Sequence, residues 1–322
     1  RYDTVIIGGG IGGLMAAYRL RKKEPNMKIA VTERGNTLEN RKCPAGKNNT
    51  CAHCKICSIT SGFAGAGAFS DGKFNLGTAY GGTLGEELGD DTANKYIAEV
   101  DEVLNEYCTS GIPNVYKTND DLKLKCIQNN LRLLDMNVKH LGTDNNYLTM
   151  QNLIHAIAAS GTDLYSFYDC INVEKEDGAY NLEYSNGKVL TADNIIIATG
   201  RGGASFVSEF CRKFAVKTKS NHIDIGVRVE MKDIIWREFS SKIYEPKILY
   251  KTKTFEDRCR MFCFNQGGLV SAENNHGIIT ANGHSFAQAD KKTDNCNFAI
   301  LSSIRFTEPF NQPTEYAENI SR

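Results

Sequence analysis

The stretch YDTVIIGGGIGG at residues 2–13 decides the fold of this chain. Its first six residues predict a short buried strand, and Gly8, Gly10 and Gly13 complete the pattern G-x-G-x-x-G directly after it. Gly8 permits the tight turn out of the strand, Gly10 lets the backbone approach a pyrophosphate, and Gly13 lets a helix pack closely on the sheet. Because a helix N-terminus offers unpaired N–H groups to phosphates, the stretch predicts a dinucleotide site.

The residues that follow supply the rest of this motif. Residues 14–23 predict a helix, because apolar residues recur at i, i+3, i+4 and i+7 starting from Ile11. Residues 28–32 predict a second strand, and Glu33 stands at its end, where an acid accepts hydrogen bonds from a ribose. An acid rather than an Arg at this position favours FAD or NAD over NADP.

Composition limits the classes of partner. The chain has 322 residues, enough for two domains or one large discontinuous domain. Lys+Arg and Asp+Glu both number 38, so the zero net charge gives no electrostatic case for binding nucleic acid or an anionic membrane. No apolar run approaches the ~20 residues that span a bilayer. The dinucleotide motif favours a cytoplasmic enzyme, in which structural disulfides are rare.

A loop of small residues, SGFAGAGAFSDGK at 61–73, is too rich in glycine for a regular element. Such backbone is useful where a flat ligand or a phosphate must come close. Phe63 and Phe69 argue against a purely flexible linker, so we predict that this loop contacts a ligand.

The rest of the chain predicts helices followed by strands. Residues 91–146 predict amphipathic packing helices, and a further helix over 149–160 has Thr149 as its expected N-cap. Short strands are predicted at 164–167, 170–174, 179–184, 188–190 and 193–197, the last of them ending in Ala198-Thr199-Gly200. From residue 206 onward, alternating patterns predict a mixed, β-rich region.

This order of elements resembles the glutathione-reductase-like flavoproteins, which contain two dinucleotide-binding domains. Several stretches are similar to a bacterial family of FAD-dependent, or NAD(FAD)-utilising, dehydrogenases without an assigned substrate. These stretches are CAHCKIC at 51–57, GAGAFSDGK at 65–73, IGVRVE at 225–230, RMFC at 260–263, NGHS at 282–285 and NFAIL at 297–301. The resemblance implies that the N-terminal motif binds the ADP half of FAD and that the Ala198-Thr199-Gly200 turn closes the sheet near it.

The expected fold class is therefore α/β. A discontinuous Rossmann-like FAD-binding domain with a β-meander is expected over 1–90 and 147–205, with a helical insertion over 91–146. A smaller, mixed β-rich substrate or cap domain is expected over 206–322. Flavoproteins of this group return to the FAD domain through a C-terminal Gly-Asp segment. Nothing after Thr307 supplies that segment, so we expect this return to be missing from the sequence.

Four cysteines are clustered with the spacing C-x7-C-x2-C-x2-C, namely Cys43, Cys51, Cys54 and Cys57. C-x2-C-x2-C is the spacing of three ligands of an iron–sulfur cluster, with Cys43 available as the fourth. Structural zinc more often uses two separated C-x2-C pairs, although this spacing permits zinc. Free or redox-active thiols are the third interpretation. An iron–sulfur cluster beside a flavin would form an electron relay.

We predict an FAD-dependent oxidoreductase that transfers a hydride between a small-molecule substrate and flavin. The expected FAD contacts are Gly8, Gly10, Gly12, Gly13, Glu33, Arg34, Gly65, Ala66, Gly67, Thr199 and Gly200. His284 lies in a polar loop and is the first candidate for a proton donor, with His276 as the second; a surface histidine without a role is the other interpretation of His284. Lys73 would stabilise negative charge on the reduced flavin or the substrate, unless it is a solvated lysine.

Two other functions fit parts of the sequence. An NAD-dependent dehydrogenase without flavin would use the same N-terminal motif, but the Ala198-Thr199-Gly200 turn and the preceding β-meander argue against it. A non-enzymatic flavin or thiol redox sensor would use the cysteine cluster to report oxidation. NAD(P)H is a candidate reductant, although the sequence contains no second G-x-G-x-x-G between a strand and a helix.

Overall fold

The computed structural model describes residues 1–44, 51–80, 82–275, 277–286, 288–307, 309 and 312–322. The chain forms two compact units. The first unit comprises Arg1–Phe69, Tyr147–Thr218 and Glu273–Gly277, and the second comprises Ser70–Asn146, Lys219–Ala272 and Ile278–Arg322. Residues 70–90 thus belong to the second unit and residues 206–218 to the first, unlike the expected ranges. The division into an FAD domain and a substrate domain stays a prediction.

The regular elements follow one another along the described chain. The strands are β1 (Tyr2–Ile7), β2 (Ile29–Glu33), β3 (Lys73–Asn75), β4 (Val115–Lys117), β5 (Arg132–Leu133), β6 (Asn137–His140), β7 (Asp163–Ser166), β8 (Cys170–Glu176), β9 (Ala179–Tyr184), β10 (Val189–Ile197), β11 (Ile223–Lys232), β12 (Ile248–Lys251), β13 (Arg258–Gln266), β14 (Leu269–Asn275), β15 (Ile278–His284) and β16 (Asn295–Ile304). The helices are α1 (Ile11–Lys23), α2 (Leu84–Leu88), α3 (Asp90–Glu106), α4 (Asp120–Gln128), α5 (Thr143–Ala159), α6 (Ala204–Lys213), α7 (Arg237–Ser240) and α8 (Pro313–Ser321).

The first unit contains a six-stranded sheet with the order β7-β2-β1-β10-β9-β8. Its central strand β1 is parallel to β2 and β10, and β8 and β9 continue the sheet as antiparallel strands. Val5, Ile6 and Val31 are 0% exposed, because a central parallel strand is covered on both faces. The continuous apolar run of β1 reflects this position, and the predicted α/β fold is confirmed.

Helix α1 packs on this sheet through a narrower stripe than predicted. Leu14 and Ala17 are fully buried, whereas Ile11 is 39% exposed at the start of the helix. The i, i+3, i+4, i+7 pattern correctly placed the helix. It wrongly counted Ile11 among its packing positions, because Ile11 is the first residue of the helix and is exposed.

The second unit is built on a five-stranded sheet with the order β11-β16-β13-β12-β5 and a three-stranded sheet with the order β3-β6-β4. Phe264 is fully buried at its core, where Trp236 and Phe298 pack against it. Strand β13 has a β-bulge between Phe262 and Asn265, and Cys263 within the bulge adopts a φ of 52°. A bulge re-aims side chains locally, and here it lies among the polar residues described below.

Two local predictions differ from the structure. Residues 91–146 contain α3 and α4 but also the short strands β4, β5 and β6. Thr149 is not an N-cap: α5 begins six positions earlier, at Thr143, and Thr149 is 1% exposed inside the helix. Within the described part of the chain, no helix is both long enough and apolar enough to cross a membrane.

Candidate functional site

Two glycines of the motif, Gly8 and Gly13, stand where the backbone leaves no room for a side chain. Gly8 has a φ of 110°, and a Cβ there would lie 2.4 Å from the carbonyl oxygen of Ala198. A Cβ at Gly13 would lie 2.0 Å from the carbonyl oxygen of Gly8. The turn and the start of α1 therefore approach each other, and the strand beside them, as closely as a dinucleotide motif requires.

The N-terminus of α1 is open. Its N-cap is Gly10, so no side chain accepts from the first N–H groups, and no acid lies in the first turn. A Cβ at Gly12 would meet nothing within 4 Å, and one at Gly10 would meet only the backbone of Gly65, at 3.9 Å. Free N–H groups, open space and the partial positive charge of the helix together fit a pyrophosphate.

The Glu33 carboxylate at the end of β2 is turned toward the backbone. Its Oε2 accepts from the N–H of Gly9 at 2.8 Å, and its Oε1 accepts from the N–H groups of Gly35 and Gly62 at 2.9 Å each. The residue is 7% exposed. A carboxylate offers about four lone-pair sites, so one remains for a ribose hydroxyl. Glu33 therefore ties the glycine turn to the small-residue loop, a role that its position in the motif did not predict.

Arg41 fixes that loop and was not predicted. Its side chain is nearly buried, and its guanidinium donates at 2.7–2.9 Å to four carbonyl oxygens, those of Ser58, Ile59, Phe63 and Gly65. Burial lowers the pKa of Arg41 to about 10 even though Glu33, Cys57 and Tyr147 act to raise it. Next to these bonds, the N–H of Ala64 donates to the carbonyl of Gly9 at 2.8 Å. The loop is thereby held against the glycine turn.

These elements surround one cavity of about 650 Å³ in the first unit. Its lining includes ten of the eleven predicted FAD contacts, namely Gly8, Gly10, Gly12, Glu33, Arg34, Gly65, Ala66, Gly67, Thr199 and Gly200. Gly13 lies under the turn instead, where it packs against Gly8. Arg34 spans the cavity wall, donating to Ser61 Oγ at 2.7 Å and to the carbonyl of Gly202 at 3.1 Å. The contact of each residue with FAD stays a prediction.

The sequence profile of the pyridine nucleotide-disulphide oxidoreductases matches residues 2–223, which is more than half of the chain. The chain belongs to the pyridine nucleotide-disulphide oxidoreductase family. The prediction of an FAD-dependent oxidoreductase is thereby confirmed, and an oxidoreductase of this family acts on a small-molecule substrate. No curated protein matches the chain.

Solved structures resemble this pyridine nucleotide-disulphide oxidoreductase only distantly. Glycine oxidase from Geobacillus kaustophilus is 12% identical over 97% of this chain and 87% of its own, with a TM-score of 0.46. Glycine oxidase from Bacillus cereus is 14% identical over 94% and 83%, with a TM-score of 0.43. Glycerol-3-phosphate dehydrogenase from Bacillus halodurans, complexed with FAD, is 12% identical over 98% of this chain and 51% of its own, with a TM-score of 0.43.

The cysteine cluster of this oxidoreductase includes two exposed thiols, Cys43 and Cys54, and two half-buried ones, Cys51 and Cys57. The Cys51 sulfur accepts from Asn274 Nδ2 at 3.3 Å and from the N–H of His53 at 3.4 Å. These hydrogen bonds, that of Asn274 first, lower the pKa of Cys51. Among the described residues, no three His, Cys, Asp or Glu side chains are placed to hold one metal ion. Metal binding by the four cysteines stays a prediction.

In the second unit of this oxidoreductase, Lys73 is not a solvated lysine. Its side chain is 9% exposed, and its Nζ lies 2.8 Å from both Asp71 Oδ2 and Glu245 Oε2. It also donates to the carbonyl of Phe264. Burial alone would lower the pKa of Lys73, but the carboxylates of Asp71 and Glu245 outweigh burial and hold it well above its usual value. The ammonium group is therefore charged and already engaged by two anions.

His284 is the last residue of β15 rather than part of a loop as predicted, and it belongs to the same polar region as Lys73. Asp71, the ion-pair partner of Lys73, acts electrostatically on His284. Burial lowers the pKa of His284, and its Nδ1 is buried without a hydrogen-bond partner in the described structure. The imidazole is thus neutral near pH 7 and has an unused nitrogen. His276, the other predicted acid–base residue, lies outside the described residues.

Sequence reasoning missed the buried group beside these two residues. The hydroxyl of Tyr244 lies 2.6 Å from His140 Nε2 and 3.0 Å from Ser285 Oγ, and the rings of Tyr244 and His140 stack with centroids 3.9 Å apart. Burial lowers the pKa of His140 to about 4 and raises that of Tyr244. No spacing rule links these residues, because they come from three separate parts of the chain.

Proposed function

We propose that this oxidoreductase transfers a hydride between a small-molecule substrate and FAD bound in the cavity of the first unit. The observation that supports this proposal best is the open N-terminus of α1, which faces that cavity with no capping side chain and no acid. FAD, when bound, supplies the hydride chemistry of its isoalloxazine ring, and the protein supplies binding, orientation and electrostatics.

The residues of the first unit would act by preorganisation. Gly10 and Gly12 leave room for a pyrophosphate, and the helix N–H groups donate to it. Glu33 and Arg41 hold the glycine turn and the small-residue loop in place before the cofactor arrives. Binding energy is then not spent on ordering these loops.

For the second unit we propose His284 as the group that moves a proton to or from the substrate. Its buried, unpartnered Nδ1 and its neutral imidazole support this role. Lys73 remains a proposed source of positive charge for the reduced flavin or the substrate. Its two ion pairs favour an indirect action, in which Lys73 holds Asp71 near His284.

The test is cofactor binding by a charge-altered variant. Gly12→Asp places a carboxylate at the helix N-terminus, where the added Cβ meets no protein atom, so the fold should be retained. We expect it to weaken FAD binding by roughly a hundredfold through repulsion of the pyrophosphate, a double charge in a partly buried site. Gly12→Asn, which has the same shape without the charge, should bind FAD more tightly than Gly12→Asp. Equal FAD affinities for the two variants and the unaltered protein would exclude this cavity as the pyrophosphate site.

A spectrum of the unaltered protein distinguishes the proposed function from the two alternative functions. An absorption spectrum of anaerobically purified protein should contain a flavin band that bleaches with dithionite. An NAD-dependent dehydrogenase without flavin would lack the band even after FAD is added. A redox sensor would contain the flavin, but no small-molecule substrate would reduce it.

We also propose a metal-binding role for Cys43, Cys51, Cys54 and Cys57, supported by their spacing, and a cytoplasmic location, supported by the dinucleotide motif. Iron, sulfide and zinc analysis of the same sample tests the first proposal. Stoichiometric iron with sulfide indicates an iron–sulfur cluster, zinc indicates a structural site, and the absence of both leaves free thiols. Replacing all four cysteines with Ser should remove whichever metal is found.

A further inference from the structure

A group of polar side chains surrounds the bulge of β13 in the second unit. We call it the Arg228 cluster; its members are Arg228, Cys263, Asn265, His284 and Asn297. Arg228 donates to Asn297 Oδ1 from Nε at 2.9 Å and from Nη2 at 2.5 Å, and Nη2 also donates to the Cys263 carbonyl at 3.0 Å. Asn265 Nδ2 adds a third donor to Asn297 Oδ1 at 3.2 Å. The guanidinium is thus held in one orientation.

The position of Arg228 depends on a glycine. A Cβ at Gly283 would lie 2.0 Å from Arg228 Nη2 and 2.2 Å from Asn297 Oδ1. Only a residue without a side chain therefore allows the guanidinium to reach Asn297. Because Gly283 directly precedes His284 in β15, the same end of the strand brings His284 toward the cluster, where Arg228 acts electrostatically on its imidazole.

Arg228 lacks an acidic partner. Within the described residues, no carboxylate lies at ion-pair distance from its guanidinium, and its Nη1 donates to no described residue. The residue as a whole is half-buried. The sulfur of Cys263 also lies near this side chain, 3.9 Å from Nη2.

Asn297 supplies a second and independent sign of a missing ligand. The residue is 0% exposed, and its Nδ2 has no hydrogen-bond partner in the described structure. Three N–H donors fix its Oδ1 as the acceptor. Exchanging the amide oxygen and nitrogen would therefore place the nitrogen against these donors and leave it without an acceptor. A buried donor left without an acceptor is costly, and an acceptor from a ligand would remove that cost.

In and beside the cluster, the described structure holds more cationic side chains than carboxylates paired with them. Asn265 connects the cluster to Lys73, because its Oδ1 lies 3.5 Å from Lys73 Nζ. Lys247, with a side chain 6% exposed, lies 3.9 Å from Glu245. Among the described residues, Lys73 and Lys247 share the carboxylates of Asp71 and Glu245, and no ion pair includes Arg228. Partly buried positive charge of this kind is best balanced by a paired anion.

We propose that the Arg228 cluster binds a carboxylate group of the substrate. One carboxylate oxygen would accept from Arg228 Nη1, and the other would accept from Asn297 Nδ2, the buried donor without a partner. His284 would then stand beside the bound acid, as its proposed role in proton transfer requires. The inference rests on the proposed function only in assigning this carboxylate to the substrate of the flavin reaction.

Binding of a simple carboxylate tests the site without any turnover. The probes are propionate and its uncharged isostere propionamide, titrated by calorimetry into the full chain with its bound FAD. Propionate should bind at least roughly tenfold more tightly than propionamide, because only the anion pairs with the guanidinium. Equal affinity for the two probes, or no binding of propionate, would overturn the proposal.

Two variants identify the residues. Arg228→Gln should weaken propionate binding by roughly tenfold or more, whereas Arg258→Gln, an exposed arginine on β13, should leave it unchanged. Asn297→Asp keeps the shape of the side chain and places a carboxylate beside Arg228, so it should abolish propionate binding in a folded protein. Unaltered propionate affinity in both Arg228→Gln and Asn297→Asp would assign the carboxylate to another place.

The flavin spectrum of the same samples separates this inference from the proposed function. A bound, reducible flavin in a protein that ignores propionate would remove the carboxylate site and leave the oxidoreductase proposal intact. If the protein could not take up FAD but still bound propionate in a way that depends on Arg228, the carboxylate site would stand and the proposed flavin reaction would be lost.

Discussion

Oε2 of Glu33 accepts a hydrogen bond from the backbone N–H of Gly9 at 2.8 Å, which places the acid of the motif under the glycine turn. The other oxygen of this carboxylate accepts from Gly35 and Gly62. An acid at the end of the second strand is expected to meet a ribose. In this protein the same acid also joins three segments of backbone. Its removal should therefore lower the stability of the protein even when no nucleotide is bound.

We therefore expect Glu33→Ala to destabilise the protein even in the absence of FAD. The substitution leaves three buried N–H donors without an acceptor, and each such donor costs about 1–3 kcal/mol. Urea unfolding of the FAD-free protein measures the loss, with Glu39→Ala as an exposed control. If Glu33→Ala changed only the affinity for FAD, the carboxylate would serve the ribose alone.

A second prediction concerns Arg41, which donates to the carbonyl oxygens of Phe63 and Gly65 in the small-residue loop and to those of Ser58 and Ile59 just before it. Lys has three donors on one nitrogen and lacks the planar fork, so Arg41→Lys cannot satisfy four diverging carbonyls. We expect FAD affinity to fall by roughly tenfold or more, because the loop no longer holds its shape against the glycine turn. Fluorescence titration with FAD measures this effect.

The control is Arg212→Lys, at an arginine whose side chain is 80% exposed. It should bind FAD like the unaltered protein. A similar FAD affinity for Arg41→Lys would mean that the loop keeps its conformation without the guanidinium, and Arg41 would then have no positioning role.

The difference between Glu33 and Arg41 shows what the sequence could and could not predict. Strand β1, helix α1 and strand β2 were predictable because local patterns specify them: an apolar run, a helical repeat and glycines at fixed offsets. Glu33 was found by its offset from the glycines. Arg41 stands in an irregular polar stretch, and its burial depends on carbonyl groups that reach it from a loop folded back in three dimensions.

The polar region of the second unit was harder to predict from the sequence for the same reason. Lys73 and His284 were selected from their local surroundings, yet their connection through Asp71 arises only when distant strands assemble. Arg228 and Asn297 belong to stretches that resembled a family, but nothing in their spacing indicates that they meet. The bulge that places the Cys263 carbonyl beside Arg228 departs from strand alternation, so a period-two pattern cannot predict it.

A third prediction concerns pH and His140. Burial holds its pKa near 4 in the folded state, against a usual value near 6.5 in the unfolded chain. Between these two values the unfolded state binds the proton and the folded state does not, so stability falls as the pH falls from about 6.5 toward 4. The full difference corresponds to about 3 kcal/mol.

Urea unfolding at a series of pH values between these limits measures the effect. His140→Gln should flatten the pH dependence over this range, whereas His155→Gln, at a histidine whose side chain is 64% exposed, should leave it as it is. An unchanged slope in His140→Gln would mean that His140 titrates in the folded protein much as it does in the unfolded chain.

The last prediction concerns Lys73, whose Nζ lies 2.8 Å from the carboxylates of both Asp71 and Glu245. Lys73→Met keeps the length of the side chain but removes the cation between Asp71 and Glu245. Asp71 then loses its ion-pair partner, and Glu245 keeps the more distant Lys247, at 3.9 Å. Removing one partner from a buried ion pair costs about 3–5 kcal/mol, so urea unfolding should show a loss of this size. The matched control is Lys125→Met, which breaks the ion pair with Glu238 on the surface, where about half of each side chain is exposed; its cost should be about 0–1 kcal/mol. Equal losses in the two variants would mean that the Asp71–Lys73–Glu245 group does not stabilise the fold, and Lys73 would then be free to act on the flavin or the substrate directly.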